Sequence, residues 1–379
     1  MKKKILFISH ESSLTGAPLV LLYFIEWLVE NHPNDYDIGI LHLKGGELEP
    51  RFNKIAKHVF KIPPRKTSFS SRVANKILSK QLVAKIDTPS ERMVNRIVKL
   101  GFDIIYANTA VTLDMAAKIK VKHNKNTKLI AHIHELNVGL KRYVNYPDKI
   151  VPHLDKIIAV AQIVKTNILN EWMVYGPSVD VVYEFSKINI EINKNLDKSN
   201  LFTVGASGTA GWRKGHNLFV HVARYLKETH PSLNINFEWI GKIGANELLI
   251  VEEDLKKLNL DNVKFLGLKS NPHPYFQNFD IFLMTSKEDP FPLVCIELGM
   301  MGKPIICFNK ATGTQEVIEN GGGQVVPYLS IEKMAEAVLR YYHDRELLKN
   351  DGIKAKKLFS QFTPEIRCPQ IYNIIKNLV

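Results

Sequence analysis

The stretch from Phe279 to Phe308 constrains the fold more than any other part of this sequence. Ile281 to Met284 is a short, sharply bounded apolar run, which predicts a buried parallel strand. A loop with two prolines follows, and then Leu293 to Met301 has the pattern of a helix that Gly302-Lys303-Pro304 ends. Ile305 to Phe308 is the next predicted strand. The unit places an acidic loop at the carboxyl end of a parallel strand, where open α/β sheets bind ligands.

Two carboxylates stand out in this unit, Asp289 in the loop and Glu297 eight residues later in the predicted helix. A helix that begins near Leu293 points unpaired backbone N–H groups at whatever lies over the loop, which suits a phosphate. A carboxylate accepts hydrogen bonds from two vicinal hydroxyls, which suits a sugar. Together these features favour a nucleotide sugar as the ligand. The alternative is a capping aspartate and one solvated glutamate on a helix.

The run EDPFPLVCIELGMMGKPII closely resembles the nucleotide-sugar motif of retaining glycosyltransferases of family 4, the glycosyl transferases group 1, which have the GT-B fold. That family carries glutamate at both ends of this spacing. Here Asp289 occupies the first position and Glu288 precedes it, so both are candidates for holding the donor sugar. The resemblance assigns Glu297 to the nucleotide ribose. It implies further donor contacts from the residues that follow the aspartate: Phe291, Pro292, Leu293 and Val294.

Length, charge and cysteine content limit the classes of protein that this chain can belong to. A chain of 379 residues is expected to form two domains. The net charge of +13 predicts an acidic partner, such as nucleic acid, anionic lipid or a phosphate-bearing substrate. Its three cysteines have neither disulfide nor metal spacing, which is typical of a reduced cytoplasmic protein. No apolar run reaches the roughly 20 residues of a membrane span, so any membrane contact is expected to be peripheral.

The first half alternates short apolar runs with helical segments, which predicts a doubly wound sheet. Its predicted strands are Ile5–Ser9, Asp37–Leu43, Ile104–Ala107, Leu129–His132 and Ile157–Val160. Gly16 lies just ahead of a helix predicted at Leu19–Val29. A plain turn accounts for this glycine, but the resemblance implies a glycine loop that faces the donor phosphates and the acceptor.

Residues 61–86 contain seven basic residues before the first acid, Asp87. From Arg72, basic residues recur four apart at Lys76 and Lys80, with apolar residues on the other side, which predicts a basic amphipathic helix. Such a helix is either a solvated face or a docking surface for anionic lipid or an acidic acceptor, at the inner face of the membrane. Nucleic acid is disfavoured, because only Phe69 is available there for stacking on bases.

His134 and Glu135 follow the strand predicted at Leu129–His132, at its carboxyl end. The His-x-His-Glu string lacks a third ligand at a suitable spacing, so no metal site is expected. The string resembles the His-Glu or His-Asp of family 4 enzymes, which implies that His134 lines the cleft beside the reacting sugar and that Glu135 lies on the acceptor side. His132 is expected to share the face of His134 but to lie deeper. A purely structural histidine is the alternative.

The second half begins after a polar linker at residues 191–200 and opens with a strand at Leu201–Val204. Further strands are predicted at Phe237–Ile240, Val263–Leu266 and Gln324–Val326. The glycine-rich run that follows is not a dinucleotide fingerprint, because Trp212-Arg213-Lys214-Gly215 separates it from the helix that starts near His216. Arg213 and Lys214 suit a diphosphate. The segment resembles the family's phosphate loop, whose Lys-Gly matches Lys214-Gly215, and Thr312–Glu316 resembles the loop below the donor.

These features predict two Rossmann-like doubly wound α/β domains that face each other across a cleft, as in the GT-B fold. The expected boundaries are residues 1–195, 196–362 and a terminal helix, 363–379. The resemblance implies that this helix returns to the first domain. The resemblance implies retaining transfer of a hexose from a nucleotide diphosphate sugar to a glycan or lipid-linked hydroxyl, without metal or cofactor, in bacterial-type cell-surface glycan assembly. The expected catalytic residues are His134, Arg213, Lys214 and Asp289. A nucleotide-sugar epimerase and a non-catalytic module that binds sugars or polyanions are the alternatives.

Overall fold

A computed structural model gives the chain two α/β domains, each built on a parallel sheet. It describes residues 2–62, 88–123, 126–173, 179–188 and 201–378. In both sheets the central strands are near-continuous apolar runs, as expected for strands that helices cover on both faces. The predicted fold class, two Rossmann-like doubly wound domains, is confirmed.

The first domain alternates strands and helices. Its strands are β1 Lys3–Ser9, β2 Tyr36–His42, β3 His58–Lys61, β4 Ile104–Asn108, β5 Lys128–Ile133, β6 Lys156–Ala159 and β7 Val179–Val181. Its helices are α1 Gly16–Asn31, α2 Glu49–Ile55, α3 Pro89–Leu100, α4 Leu113–His123, α5 Asn137–Tyr143, α6 Pro147–Ile150 and α7 Gln162–Trp172. Single 3₁₀ turns lie at Ala110–Thr112 and Val151–His153.

The second domain repeats the same alternation. Its strands are β8 Phe202–Ser207, β9 Ile235–Ile240, β10 Val263–Phe265, β11 Ile281–Met284, β12 Ile305–Phe308 and β13 Gly323–Val326. Its helices are α8 His216–Thr229, α9 Ala245–Lys257, α10 His273–Asn278, α11 Leu293–Met300, α12 Thr314–Ile318, α13 Ile331–His343 and α14 Arg345–Phe359; α15 Pro364–Lys376 follows them.

The strand order places one switch point in each domain. The first sheet runs β3-β2-β1-β4-β5-β6-β7 and the second runs β10-β9-β8-β11-β12-β13, with every pair parallel. The order reverses between β1 and β4 and between β8 and β11, and a crevice opens at such a point beyond the carboxyl ends of the strands. The loops after β1, β8 and β11 therefore border the two crevices.

Helix α15 and the end of α14 join the two domains. The hydroxyl of Tyr372 in α15 donates to Asp35 at 2.6 Å, and the ring of Tyr372 stacks on His32 at 3.8 Å. One continuous apolar core includes strands β1 and β4 of the first domain together with Phe359, Phe362 and Ile371. A single core that crosses the domain boundary holds the two crevices toward each other.

Most predicted elements agree with the structure, and the differences have local causes. Strands β3 and β7 escape the sequence analysis because each is short, and β3 alternates exposed and buried residues at a sheet edge. Helix α1 begins at Gly16, earlier than predicted, so this glycine is the first residue of the helix and does not precede it. None of the described helices is long and apolar enough to cross a membrane.

Candidate active site

The loop between β8 and α8 presents Lys214 to the crevice. Gly208, at φ +143°, lies against the lysine stem, since a Cβ there would stand 2.8 Å from Lys214 Cε. Gly215 adopts the left-handed region at φ +66° and leads directly into α8. The hydroxyl of Thr285, after β11, donates to the Lys214 carbonyl at 3.1 Å. The lysine is therefore fixed by both loops of the second switch point.

Asp289 is buried and forms ion pairs with both cations of the phosphate loop. Arg213 Nη1 lies 2.9 Å from Oδ1, and Lys214 Nζ donates to Oδ2. Burial by itself would raise the pKa of Asp289, but the two cations outweigh it and lower the pKa. Arg213 is half exposed and Lys214 is nearly buried, so the lysine is held more firmly in place. The structure thus brings together three of the four predicted catalytic residues.

Glu288 and Asp289 are adjacent in sequence but face different partners. The Glu288 carboxylate accepts a hydrogen bond from the backbone N–H of Val138, at the start of α5 in the first domain, at 3.2 Å. Burial raises the pKa of Glu288. Asp289 lies instead in the second crevice. The sequence left open which of the two carboxylates holds the donor sugar. In the structure the two differ, because Glu288 contacts the first domain and Asp289 contacts Arg213 and Lys214.

Two helix N-termini face each other across the cleft. Helices α1 and α11 begin at Gly16 and Leu293, and no side chain caps either of them. A Cβ on Gly16 would stand 3.9 Å from Leu293 Cγ. Pro292 is the N-cap residue of α11, and Val294 follows in its first turn. The positive ends of two helix dipoles and their unpaired N–H groups thus converge on the place where Arg213 and Lys214 stand, which favours a polyvalent anion.

Glu297 lies further along α11, on the side of the interdomain segment. Its Oε1 accepts from the Ser186 hydroxyl at 2.9 Å, and its Oε2 is 3.4 Å from His273 Nε2. The hydrogen bond to Glu297 raises the pKa of His273. Glu297 remains partly exposed, so its carboxylate is accessible to a polyol.

Phe291 has a place that the sequence did not indicate. Its ring is buried between Tyr183, at 5.1 Å, and Phe362, at 5.0 Å. The Tyr183 hydroxyl donates to Glu316, whose carboxylate also accepts from the backbone N–H groups of Gln162 and Ile163 at the start of α7. The Thr312–Glu316 loop therefore contacts the first domain, and the Phe291 ring packs where the domains meet.

His134 lies in the first-domain crevice with both ring nitrogens hydrogen-bonded. Nδ1 is 2.8 Å from Glu184 Oε1, and Nε2 is 3.0 Å from Asn108 Oδ1. Its side chain is 4% exposed, and burial lowers its pKa. His132 lies deeper, with its ring centroid 4.2 Å from that of His134, as the strand alternation predicts. His134 contacts a ligand through nitrogen only by exchanging one of these partners.

Glu135 stabilises the loops around the first crevice. Its Oε2 accepts from the backbone N–H groups of Ala110 and His134, both at 3.0 Å. Burial raises the pKa of Glu135 to about 7. The carboxyl thus fixes the turn after β4 against the loop after β5.

Glu184 is a buried site residue that the sequence analysis missed. It follows β7 in the segment that leads to the second domain, it is buried, and its Oε2 would lie 4.0 Å from a Cβ on Gly16. The signal in the sequence is a single acid within the apolar run Val182-Tyr183-Glu184-Phe185, because a lone charged residue in a buried segment is rarely placed there without a partner.

The predicted basic helix at Arg72, Lys76 and Lys80 lies outside the described residues. In the part of the chain that is described, no group of three or more His, Cys, Asp or Glu residues is arranged to hold a metal ion. The three cysteines are buried free thiols.

Known proteins resemble this chain in both sequence and fold. Residues 187–358 match the family model of the glycosyl transferases group 1. An uncharacterized glycosyltransferase of Haemophilus influenzae is 23% identical over 375 residues, which is 96% of each chain. An exopolysaccharide phosphotransferase of Streptomyces coelicolor is 29% identical over 121 residues, 31% of this chain but only 13% of that protein.

The crystal structure of the Anabaena protein Alr3699/HepE in complex with UDP superposes on the whole chain with a TM-score of 0.76. The two sequences are 20% identical, and the match covers 100% of both chains. The chain thus has the GT-B fold, and its residues 187–358 match the model of the glycosyl transferases group 1 family.

Proposed function

We propose that this protein is a retaining glycosyltransferase that moves a hexose from a nucleotide diphosphate sugar to a hydroxyl group of a glycan or lipid-linked acceptor. The observation that carries the proposal is the convergence of Arg213, Lys214 and two uncapped helix N-termini on one cleft, beside Asp289. A diphosphate would neutralise that concentration of positive charge, and the carboxylates of Asp289 and Glu297 would accept hydrogen bonds from sugar hydroxyl groups.

The donor would bind along the loop after β11 and helix α11. Its diphosphate would lie at the N-terminus of α11 near Leu293 and Val294, and its ribose would reach Glu297. Asp289 is the better candidate for the donor sugar because it lies beside Lys214, whereas Glu288 is bound to Val138 of the first domain. The UDP complex of HepE makes a uridine diphosphate sugar the first donor to test.

Transfer would develop negative charge on the leaving diphosphate as the sugar becomes oxocarbenium-like. The acceptor oxygen forms a bond to the anomeric carbon as the bond from that carbon to the diphosphate oxygen breaks. The acceptor proton passes to a donor phosphate oxygen on the same face, so the configuration is retained. Lys214 and Arg213 would exchange Asp289 for the phosphates and stabilise the growing charge.

The acceptor belongs to the first domain in this proposal, near Gly16 and Glu135. The name of the Streptomyces relative supports polysaccharide assembly as the context. A cytoplasmic location and contact of the basic segment around Arg72, Lys76 and Lys80 with an anionic membrane remain predictions.

A donor and acceptor screen tests the function. The protein is incubated with radiolabelled UDP-sugars and other nucleotide sugars, with and without glycan and lipid-linked acceptors, and the products are separated. Labelled sugar on the acceptor and release of the nucleoside diphosphate are expected. A nucleotide sugar of changed configuration without any acceptor would favour an epimerase. Binding without turnover in every combination would favour a binding module.

Replacing Glu297 by glutamine is expected to weaken donor binding by about 1–3 kcal/mol, because one charged hydrogen-bond partner of the ribose is lost. Isothermal titration calorimetry with the donor measures the change. Ser186→Ala is the matched control, since it removes the hydroxyl that Glu297 binds in the unliganded protein but leaves the carboxylate. Equal donor affinities of Glu297→Gln and the wild type would remove Glu297 from the site.

Transfer activity is expected to survive EDTA. Lysine and arginine side chains would neutralise the negative charge of the leaving diphosphate, as a divalent cation does in other enzymes. The assay compares initial rates before and after chelation, with addition of Mg²⁺ or Mn²⁺ as the second arm. A rate that falls on chelation and returns with one of these ions would contradict the metal-independent mechanism.

A further inference from the structure

The pair of Glu184 and His134 lies at the first-domain side of the cleft, and its hydrogen bonds fix where its protons are. The amide nitrogen of Asn108 donates to the carbonyl oxygen of Ala17 at 3.0 Å. A carbonyl oxygen only accepts, so the Asn108 Oδ1 must be the atom that faces His134 Nε2. That oxygen also only accepts, and therefore Nε2 carries a proton and donates it to Asn108.

The remaining contact then requires one more proton. Nδ1 of His134 lies 2.8 Å from Glu184 Oε1. If neither atom carried a proton, a nitrogen lone pair would face a carboxylate oxygen at hydrogen-bonding distance in a buried site, which is repulsive. A proton on Nδ1 gives an imidazolium and a carboxylate, and a proton on Oε1 gives an imidazole and a carboxylic acid. The pair has no net charge in either case.

We propose that Glu184 and His134 hold one shared proton at the floor of the cleft, so that the pair is neutral and Glu184 is a positioning residue and not a general base. Its Oε2 accepts no hydrogen bond from the described residues and points toward Gly16, at the start of α1. In the neutral pair, Oε2 is an acceptor suited to a sugar hydroxyl. This role rests on the proposed function, whereas the shared proton does not.

Several charged groups surround the pair. From the second domain, Asp289, Lys214 and Arg213 act on Glu184. From the first domain, His10, His132 and Glu135 lie near His134 or Glu184. Burial raises the pKa of Glu184 well above its usual range, which favours the form with the shared proton on the carboxyl group.

The shared proton would matter for the donor because the cleft must accept a diphosphate. Asp289 already cancels one of the two positive charges of Arg213 and Lys214. An ionised Glu184 would cancel the other, and the anionic ligand would then meet no net positive charge from these groups. Pairing with His134 keeps Glu184 from doing so.

The pH dependence of stability tests the shared proton without any ligand. In the unfolded chain His134 loses its proton near pH 6.5, whereas the folded pair keeps it, so the wild type should lose stability as the pH rises above 6.5. Its folding equilibrium constant should fall by up to tenfold per pH unit relative to Glu184→Gln, whose amide donates to Nδ1 and does not titrate. Glu135, with its pKa raised to about 7, titrates in both proteins, so the comparison removes the part of its contribution that does not depend on Glu184.

Two further measurements serve as controls for the pH dependence of stability. Glu228→Gln, which removes an exposed carboxylate on α8, should follow the wild type. ¹⁵N NMR of histidine-labelled wild type should show His134 with Nε2 protonated and no titration near pH 6.5. An ordinary titration of His134 near that pH, or identical pH profiles of wild type and Glu184→Gln, would overturn the shared proton.

A double-variant cycle with UDP tests the role in binding. His134→Leu leaves Glu184 free to ionise, and we expect UDP affinity at pH 9 to fall about tenfold or more. The double variant His134→Leu/Glu184→Gln should recover most of that loss, because the charge is gone. Equal affinities of the two variants would overturn the positioning role. If UDP binds none of the proteins, the proposed donor fails, and the ligand-free measurements still decide on the proton.

Discussion

Replacing Lys214 by alanine is expected to lower the turnover of sugar transfer by about 10²–10³-fold, the usual effect of removing one group that stabilises charge in a transition state. The reason is geometric. Lys214 is nearly buried, its main chain is held by Thr285, and its stem lies against Gly208, so its ammonium is already in position before the leaving diphosphate becomes charged. Steady-state kinetics with saturating donor measure the loss in kcat.

The same substitution also affects stability, because Asp289 keeps only Arg213 as a charged partner, beside the Ser286 hydroxyl, when the lysine is absent. The double variant Lys214→Ala/Asp289→Asn separates the two effects. Removing the buried carboxylate that has lost one of its two cations should restore the melting temperature, while turnover should stay low. If the double variant recovers turnover together with stability, Lys214 serves the fold and not the reaction.

The sequence predicts the second crevice well because its chemistry is local. Asp289, the prolines, the start of α11 and Glu297 lie within one strand–loop–helix unit, so spacing alone brings them together. Lys214 joins them because parallel strands of one sheet end at the same edge, and β8 and β11 are neighbours. Such positions follow from the order of the strands.

Contacts between the domains could not be predicted in the same way. Nothing in the spacing of Glu288 and Asp289 shows that one faces Val138 and the other Lys214, because that choice depends on how the second domain lies against the first. The Phe291 ring, predicted to contact the donor, packs between Tyr183 and Phe362, which are 108 and 71 residues away along the chain.

Glu184 shows most clearly which site residues the sequence cannot predict. It is an isolated acid in a short apolar run after a three-residue strand, and only the fold reveals that its partner is His134, 50 residues earlier. Burial then alters the chemistry of both groups, so residue type alone would suggest a free carboxylate and an ordinary histidine. Protonation in a buried site is set by neighbours that sequence spacing does not specify.

Replacing Gly215 by alanine is expected to abolish most activity and to destabilise the second domain. At φ +66° a side chain costs about 1–3 kcal/mol in backbone strain. The new Cβ would also overlap the carbonyl oxygen of Thr285. The main-chain shift that relieves the overlap would cost a further ~1–3 kcal/mol. The shift moves the main chain of Lys214 away from Thr285, so the ammonium leaves the crevice. Thermal unfolding and kcat measure the two consequences.

Gly211→Ala is the matched control for this prediction, because it places the same methyl group in the same loop. A Cβ on Gly211 would meet no atom within 4 Å, and its carbonyl can still accept from the Gly215 N–H. We expect this variant to keep the melting temperature and the turnover of the wild type. If Gly211→Ala and Gly215→Ala lose activity equally, the loop tolerates no added volume of any kind, and the position of Lys214 does not depend on the left-handed turn at Gly215. If Gly215→Ala is as active as the wild type, the loop can re-form around the methyl group, and the close packing against Thr285 has no part in placing the lysine.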